Sequence, residues 1–474
     1  MLELDLFSAT RSSVAAPAGC GKTQLIANSL KAYSSLKPVL VLTHTNAGKG
    51  ALEARLDSAA VPKSTFRVFT IDSWAIRVIS RFPTRSGSNE QMLRLENSNR
   101  DYPAVREAAL RLLASGDIDD ILAATYSRLV VDEYQDCTLP QHAIISAIAN
   151  VLPTCVLGDP LQAIFGFREP TVHWDKHVRA TFPELGVLNI PWRWKRVGAD
   201  ELGNWLLAIR EPLLAGEPID LRHAPPEVVY VPLPGDAAGA HLKRMEAART
   251  KAPNKEGSVL IIGDSTSPPS QRQFASLTPG ASTVEAVDLR DLTAFARTFD
   301  PAHEDSIKHL ANFAGELMTN LGGMELQKRL ASLKTGRART PPNNIEAAFL
   351  TYAEMPSFET AANALDELED CTGVRVYRHE VLHVLKTALR AASVGNNSFY
   401  DATVLARERN RHLGRRTNRV AVGSTLLLKG LEADVAVVLN PSVMDARHLY
   451  VALSRGARKL VVCSPTPVLT PAIA

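Results

Sequence analysis

Along the first 190 residues, short fully apolar runs alternate with longer stretches of helical period. Pro38-Val39-Leu40-Val41-Leu42, Phe66-Arg67-Val68-Phe69, Leu129-Val130-Val131 and Thr154-Cys155-Val156-Leu157 read as strands. Each ends in polar residues: Thr43 to Asn46, Thr70 to Trp74, Asp132-Glu133 and Gly158-Asp159. A helix is expected from Ala47 to Leu56. Continuous apolar strands separated by helices predict a parallel sheet covered on both faces. In such sheets ligands gather at the carboxyl ends of the strands, where these polar residues lie. Residues 75–127 are helical, polar and strand-poor, the pattern of an insertion.

The second half repeats the scheme. Ala199 to Leu214 reads as a helix, Glu227 to Pro232 as a strand and Gly257 to Asp264 as a buried strand. Between 301 and 416 helical spacing takes over, with Ile307, Leu310, Phe313 and Leu317 and later Leu365, Val381, Leu382, Val384, Leu385 and Leu389. Strands resume at Arg419 to Val422, Val435 to Leu439 and Lys459 to Cys463.

The densest chemistry is Ala16-Pro17-Ala18-Gly19-Cys20-Gly21-Lys22-Thr23, between the apolar Val14-Ala15 and a helical segment from Gln24 to Tyr33. This is a P-loop with Ala16 in place of the usual first Gly. Gly19 and Gly21 let backbone N–H groups approach a phosphate chain, and the helix start adds partial positive charge. Lys22 would reach the β- and γ-phosphates, and Thr23 would hold Mg²⁺. A small-residue turn before an ordinary helix is the bland alternative. The Gly-Lys-Thr at a strand-to-helix junction argues against it. Asp132-Glu133 supplies the second half of such a site: Asp132 for Mg²⁺, Glu133 for the attacking water.

Bulk properties change the picture little. At 474 residues, two to four domains are expected. A formal net charge of +3 decides nothing about nucleic acid. The five cysteines form no C-x-x-C pair, which fits a reducing cytoplasm. Neither a secretory leader nor a membrane-length apolar run is present, so no membrane partner is expected.

The motifs together resemble superfamily 1 helicases of the UvrD/Rep type. Val131 to Asp136 is similar to D-E-x-Q-D, and Leu157 to Arg168 to G-D-x-x-Q-x-I-Y-x-F-R. Leu42 to Gly48 resembles T-x-T-N-x-A, and Ile190-Pro191-Trp192-Arg193 stands at N-Y-R. Val422 to Glu432 resembles H-x-x-K-G-L-E, and Leu449 to Ala457 resembles Y-V-x-x-T-R-A. With the P-loop, these matches run in the family's order across nearly the whole chain.

The resemblance implies an α/β fold of two RecA-like P-loop NTPase lobes with parallel sheets, each interrupted by a small, mainly helical insertion. The first lobe would be 1–74 and 128–190, with its insertion at 75–127. The second would be 191–300 and 417–474, with its insertion at 301–416. It also implies catalytic roles for Lys22, Glu133, Gln162, Arg193 and Arg455, the two arginines arriving from the second lobe. Nucleotide contacts would come from Ala16, Ala18, Gly19, Cys20, Gly21, Lys22, Thr23, Trp192 and Glu432. Core packing is an equal alternative for Trp192. For DNA the matched positions are His44, Thr45, Thr70, Ser73, Trp74, Phe167, Arg168, Ser424 and Thr425. Phe165 is a second aromatic candidate, with burial as its alternative. Arg415 and Arg416 lead a basic cluster, read either as phosphate contact or as a solvated linker.

The implied activity is an ATP- and Mg²⁺-dependent DNA helicase or single-strand translocase, moving 3′→5′, in repair, replication or phage defence. Its partner would be single-stranded or tailed duplex DNA. The alternative is an accessory DNA-end-sensing NTPase that regulates a partner such as a nuclease. The stretch after Arg455 is short and carries no nuclease-like acids, so cutting is expected to need that partner. Two departures stand out. Phe7 to Ser12 holds no glutamine to read adenine, which leaves the base preference open. Asp72 takes the place of the His in T-x-H-S, an acid on an expected phosphate path.

Overall fold

The computed structural model describes residues 4–95, 97–166, 169–321, 323–395, 398–413 and 418–473. The chain divides into two units. The first contains residues 1–229, 441–460 and 466–474; the second contains 230–440 and 461–465.

The first unit is built on six strands: β1 (Arg11–Ala15), β2 (Val39–Thr43), β3 (Phe66–Thr70), β4 (Arg128–Val131), β5 (Thr154–Gly158) and β6 (Glu184–Val187). Their order is β3-β2-β4-β5-β1-β6, and every pairing is parallel. All five positions of β2 and of β5 are buried, because both faces of the sheet are covered. Alternation divides the apolar side chains between two cores. Val39, Val41, Val130 and Leu157 join Leu25, Ile26 and Leu30 of the helix Lys22–Ala32 on one face. Leu40, Leu42, Leu129 and Val131 meet Ile71, Trp74, Leu112 and Ile144 on the other. Residues 75–127 carry four further helices, the longest Ser98–Ala114.

Three helices after β6, Trp192–Lys195, Asp200–Ala208 and Arg210–Leu214, group with this first sheet, as does Ala446–Leu453. The motif order places them in the second lobe; the structure does not. Specific bonds account for the grouping. The Arg193 N–H donates to the Gly19 carbonyl at 3.0 Å. The Trp194 indole N–H donates to the Gly456 carbonyl at 2.9 Å, with its ring fully buried.

A second sheet, whose first four strands lie in the second unit, also has six strands. Their order is Ala281–Thr283, Val420–Gly423, Val259–Ile262, Ala433–Val438, Gly456–Ser464 and Val228–Pro232. The first four are joined by parallel pairings. A separate helical body surrounds one apolar cluster running from Leu289 to Ala406. It begins before residue 301, because the helix Arg290–Thr298 packs into it: Phe295 stacks on Phe313 with ring centroids 4.3 Å apart.

Candidate nucleotide site

The loop after β1 turns through two left-handed glycines, Gly19 at φ +70° and Gly21 at φ +84°. A side chain there would be strained and would also collide. A Cβ on Gly19 would stand 2.5 Å from the Trp194 ring, and one on Gly21 3.0 Å from Trp192. The two tryptophans therefore back the loop. Trp194 is wholly buried, whereas Trp192 is 40% exposed. Burial among core residues is thus the role of Trp194, and Trp192 presents an open ring beside the loop. Ala16, Ala18 and Cys20 are buried. The Ala16 N–H donates to the Gly158 carbonyl at 2.8 Å, and the Ala18 N–H to Asp159 Oδ2 at 3.2 Å.

Lys22 opens the following helix. Its Nζ lies 2.7 Å from Asp132 Oδ1 and 2.6 Å from Glu133 Oε1. Burial alone would lower the Lys22 pKa; the two carboxylates outweigh it and hold the ammonium firmly charged. Burial, with Glu133 adding to it, pushes the Asp132 carboxyl above the usual carboxylate range although Lys22 pulls it down. Glu133 has a left-handed backbone, φ +55°, unusual for a residue with a side chain and a mark of stored local strain. The Gln135 amide donates to Glu133 Oε2 at 2.6 Å, and its carbonyl accepts the Asp159 N–H at 3.0 Å.

Gln162 continues the network. Its Nε2 donates to Asp159 Oδ2 at 2.9 Å, and its Oε1 accepts from Arg455 Nη2 at 3.2 Å. Arg455 is buried and also donates to the Val451 carbonyl and the Ser454 hydroxyl, at 2.8 and 2.9 Å. Arg193 Nη1 donates to the Ser454 carbonyl at 2.6 Å. Lys22, Glu133, Gln162, Arg193 and Arg455 are thus gathered at the carboxyl edge of one sheet, all within the first unit. Thr23 sits at the same helix start, half-buried, and the Thr23 hydroxyl and Asp132 carboxylate are the oxygen donors that suit Mg²⁺. Glu432 belongs to the second unit, just before the strand Ala433–Val438.

The residues matched to DNA contacts fare unevenly. Trp74 is completely buried in the core under β2 and β4, which removes it from any surface path. Its position on the apolar stripe Ile71, Trp74, Ala75, Ile79 explains why. Thr70 and Ser73 engage each other in a capping box, and Thr70 is buried. Thr45 caps the helix Asn46–Ser58 by accepting the Gly48 N–H at 3.0 Å. His44 is half-buried, with its ring 5.9 Å from that of Phe165. In the second unit Ser424 and Thr425 are buried: Ser424 caps the helix Thr425–Leu428, and Thr425 bonds Ser265 at 3.3 Å. Their hydroxyls serve local structure first, so direct nucleic-acid contact through them is not what the packing favours. Phe167, Arg168, Arg415 and Arg416 lie outside the described residues.

Asp72 has a physical account after all. Arg106, from the helix Ser98–Ala114, grips it in two-pronged fashion, Nε–Oδ1 2.7 Å and Nη2–Oδ2 2.8 Å. Arg106 Nη1 also bonds Glu169 at 2.6 Å, and the Gln141 amide reaches Asp72 at 3.2 Å. Arg106, Gln135 and Arg210 carry this architecture; Gln135 is the glutamine of the D-E-x-Q-D match, whereas the motifs point to neither arginine. A lone arginine in the apolar stretch Trp205 to Leu214 was the available signal for Arg210.

Fold and site define a P-loop protein of two α/β units. Residues 96–183 match the family model of the UvrD/REP helicase N-terminal domain. An ATP-dependent helicase/nuclease subunit of Lacticaseibacillus casei is 36% identical over 76 residues, 14% of this chain and 6% of that protein. Its counterpart from Leuconostoc mesenteroides, which carries the same name, is 29% identical over 79 residues, 16% of this chain and again 6% of the relative. The matches thus span a small part of those longer proteins. An arterivirus nonstructural protein 10, a helicase solved with DNA, aligns over 97% of this chain and 63% of its own at 10% identity, a loose likeness at TM-score 0.36. The family match bears out the resemblance to UvrD/REP-type helicases read from the motifs. Among the described residues, no helix is long and apolar enough to cross a membrane.

Proposed function

We propose that the chain is an ATP-driven motor acting on single-stranded or tailed duplex DNA. The observation that carries this reading is the Lys22 ammonium held between Asp132 and Glu133 at 2.7 and 2.6 Å, after a glycine loop that is linked through Asp159 to Gln162 and Arg455. Lys22 would exchange carboxylates for phosphate oxygens, which frees Glu133 to orient water and accept its proton. Thr23 and Asp132 would hold Mg²⁺, which neutralises phosphate charge when bound. Gln162, tied to Arg455, would register the terminal phosphate. Arg455 and Arg193 would stabilise charge on the transferred group. Trp192 offers an open ring for the base. The 3′→5′ direction and a place in repair, replication or phage defence rest on the family resemblance.

The test is ATP hydrolysis by the purified chain with and without single-stranded DNA. Turnover stimulated by DNA and lost in Lys22→Ala supports the motor. Steady turnover in Lys22→Ala sinks the site.

A second reading is an accessory NTPase that governs a partner such as a nuclease. It is favoured by relatives named as helicase/nuclease subunits. Unwinding of a tailed duplex by the isolated chain would count against it.

A further inference from the structure

Asp159 is the hub between the P-loop and Gln162. Its carboxylate is 1% exposed and accepts five bonds. Oδ2 takes the Ala18 N–H at 3.2 Å, Gln162 Nε2 at 2.9 Å and Arg210 Nη1 at 3.0 Å. Oδ1 takes the Leu161 N–H at 3.2 Å and Arg210 Nη2 at 2.7 Å. Among the donors of these five bonds, Arg210 alone carries a full charge, and it binds through the paired geometry that a guanidinium provides.

The other side of Arg210 faces the ring of Tyr450, with its guanidinium carbon 4.8 Å from the centroid. Tyr450 is buried on the helix Ala446–Leu453, and Arg455 follows directly after that helix. Arg210 therefore joins two supports of one amide group. Asp159 holds the Gln162 nitrogen, and Arg455 holds its oxygen. A carboxamide fixed at both ends cannot flip, and its position relative to the P-loop is set by the distance between Asp159 and the Tyr450 helix.

We propose that Arg210 is a positioning residue for phosphoryl transfer: it clamps Asp159 to the Tyr450 helix so that Gln162 and Arg455 face the P-loop in one geometry. The proposal rests on the NTPase reading above. Losing Arg210 leaves Asp159 a buried, uncompensated anion, free to draw Gln162 or Arg455 out of register. A lysine keeps the charge but not the two-pronged grip. Arg210 bonds Asp159 and faces Tyr450 rather than touching the glycine loop or Trp192 itself, so affinity should change less than turnover.

The experiment is steady-state ATP hydrolysis by the full chain, with single-stranded DNA, for wild type, Arg210→Lys, Arg210→Met and Lys22→Ala, with thermal melting of each. Wild-type turnover lost in Lys22→Ala is the control for the NTPase reading, and its absence overturns that reading and this one together. Given that control, both Arg210 variants should melt above the assay temperature and keep KM for ATP within about threefold of wild type. Their kcat should fall on the order of 10- to 100-fold, the cost of a small misplacement of reacting groups. A kcat within about twofold of wild type in a folded Arg210→Lys overturns the proposal, as does a loss confined to KM. If Arg210→Met does not fold, Arg210→Lys alone decides.

Discussion

Two charged clusters close two strands of the same sheet, and they are built in opposite ways. Beyond β4, Lys22 spans Asp132 and Glu133 with one compact ammonium, and the Glu133 side chain is 33% exposed. Beyond β3, Arg106 meets Asp72 and Glu169 with three of its nitrogens. A lysine is a mobile point charge on a flexible stem and can change partners. A guanidinium saturated by two carboxylates is a rivet. The strain differs too: Glu133 is held at φ +55°, whereas Asp72 lies within a regular capped helix. A site meant to exchange ligands keeps a swappable cation and a strained acid. A joint meant to stay closed uses the fork.

The comparison is broken most severely by Glu133→Gln or Lys22→Ala, which should lower ATP turnover on the order of 10²–10⁴-fold, Glu133→Gln with a melting temperature near wild type. Full activity in either would make the β4 cluster no more than a structural ion pair. Arg106→Met should do the reverse. It strands two acids, so denaturant unfolding of the first unit should lose about 3 kcal/mol, read as a lower midpoint. Unchanged stability would show the rivet to be dispensable. Asp72→Asn keeps the shape and one acceptor, and its cost should be smaller, about 1–2 kcal/mol in the same assay.

The mildest effect concerns pH. His142 accepts or shares a proton with the Tyr134 hydroxyl at 2.7 Å, one residue from Glu133, with Thr181 and His177 also against it. Burial, and then the neighbouring His177, lower its pKa below the ordinary histidine value. A histidine depressed in the fold contributes stability above its unfolded pKa and loses it as pH falls. Melting temperature should therefore decline below about pH 6.5, and less so in His142→Gln. Equal pH profiles would remove His142 from the account.

The sequence carried the α/β class and the glycine loop because both are local. Apolar runs mark strands, and Gly-Lys-Thr at a strand end marks a phosphate turn. Asp72 looked anomalous because its partner is 34 positions away, on a helix of the inserted segment. Arg210 was missed for the same reason, lying 51 positions from Asp159. Trp74 was a different failure. Motif alignment pointed it at nucleic acid, although the helical spacing of Ile71, Trp74, Ala75 and Ile79 already marked a buried stripe. Thr70 and Ser424 teach a related lesson, since a hydroxyl before a helix caps that helix before it serves anything else.

The placement of Trp192 has an optical consequence. The chain has five tryptophans. Trp74, Trp174 and Trp194 are buried, Trp205 is partly covered, and Trp192 alone is exposed, with its ring against Gly21. An indole in that position emits at the longer wavelengths of a water-exposed ring and will shift or dim when a ligand displaces that water. The protein thus carries its own fluorophore beside the glycine loop, and a change in its emission on adding ATP would report the proposed nucleotide binding without a label.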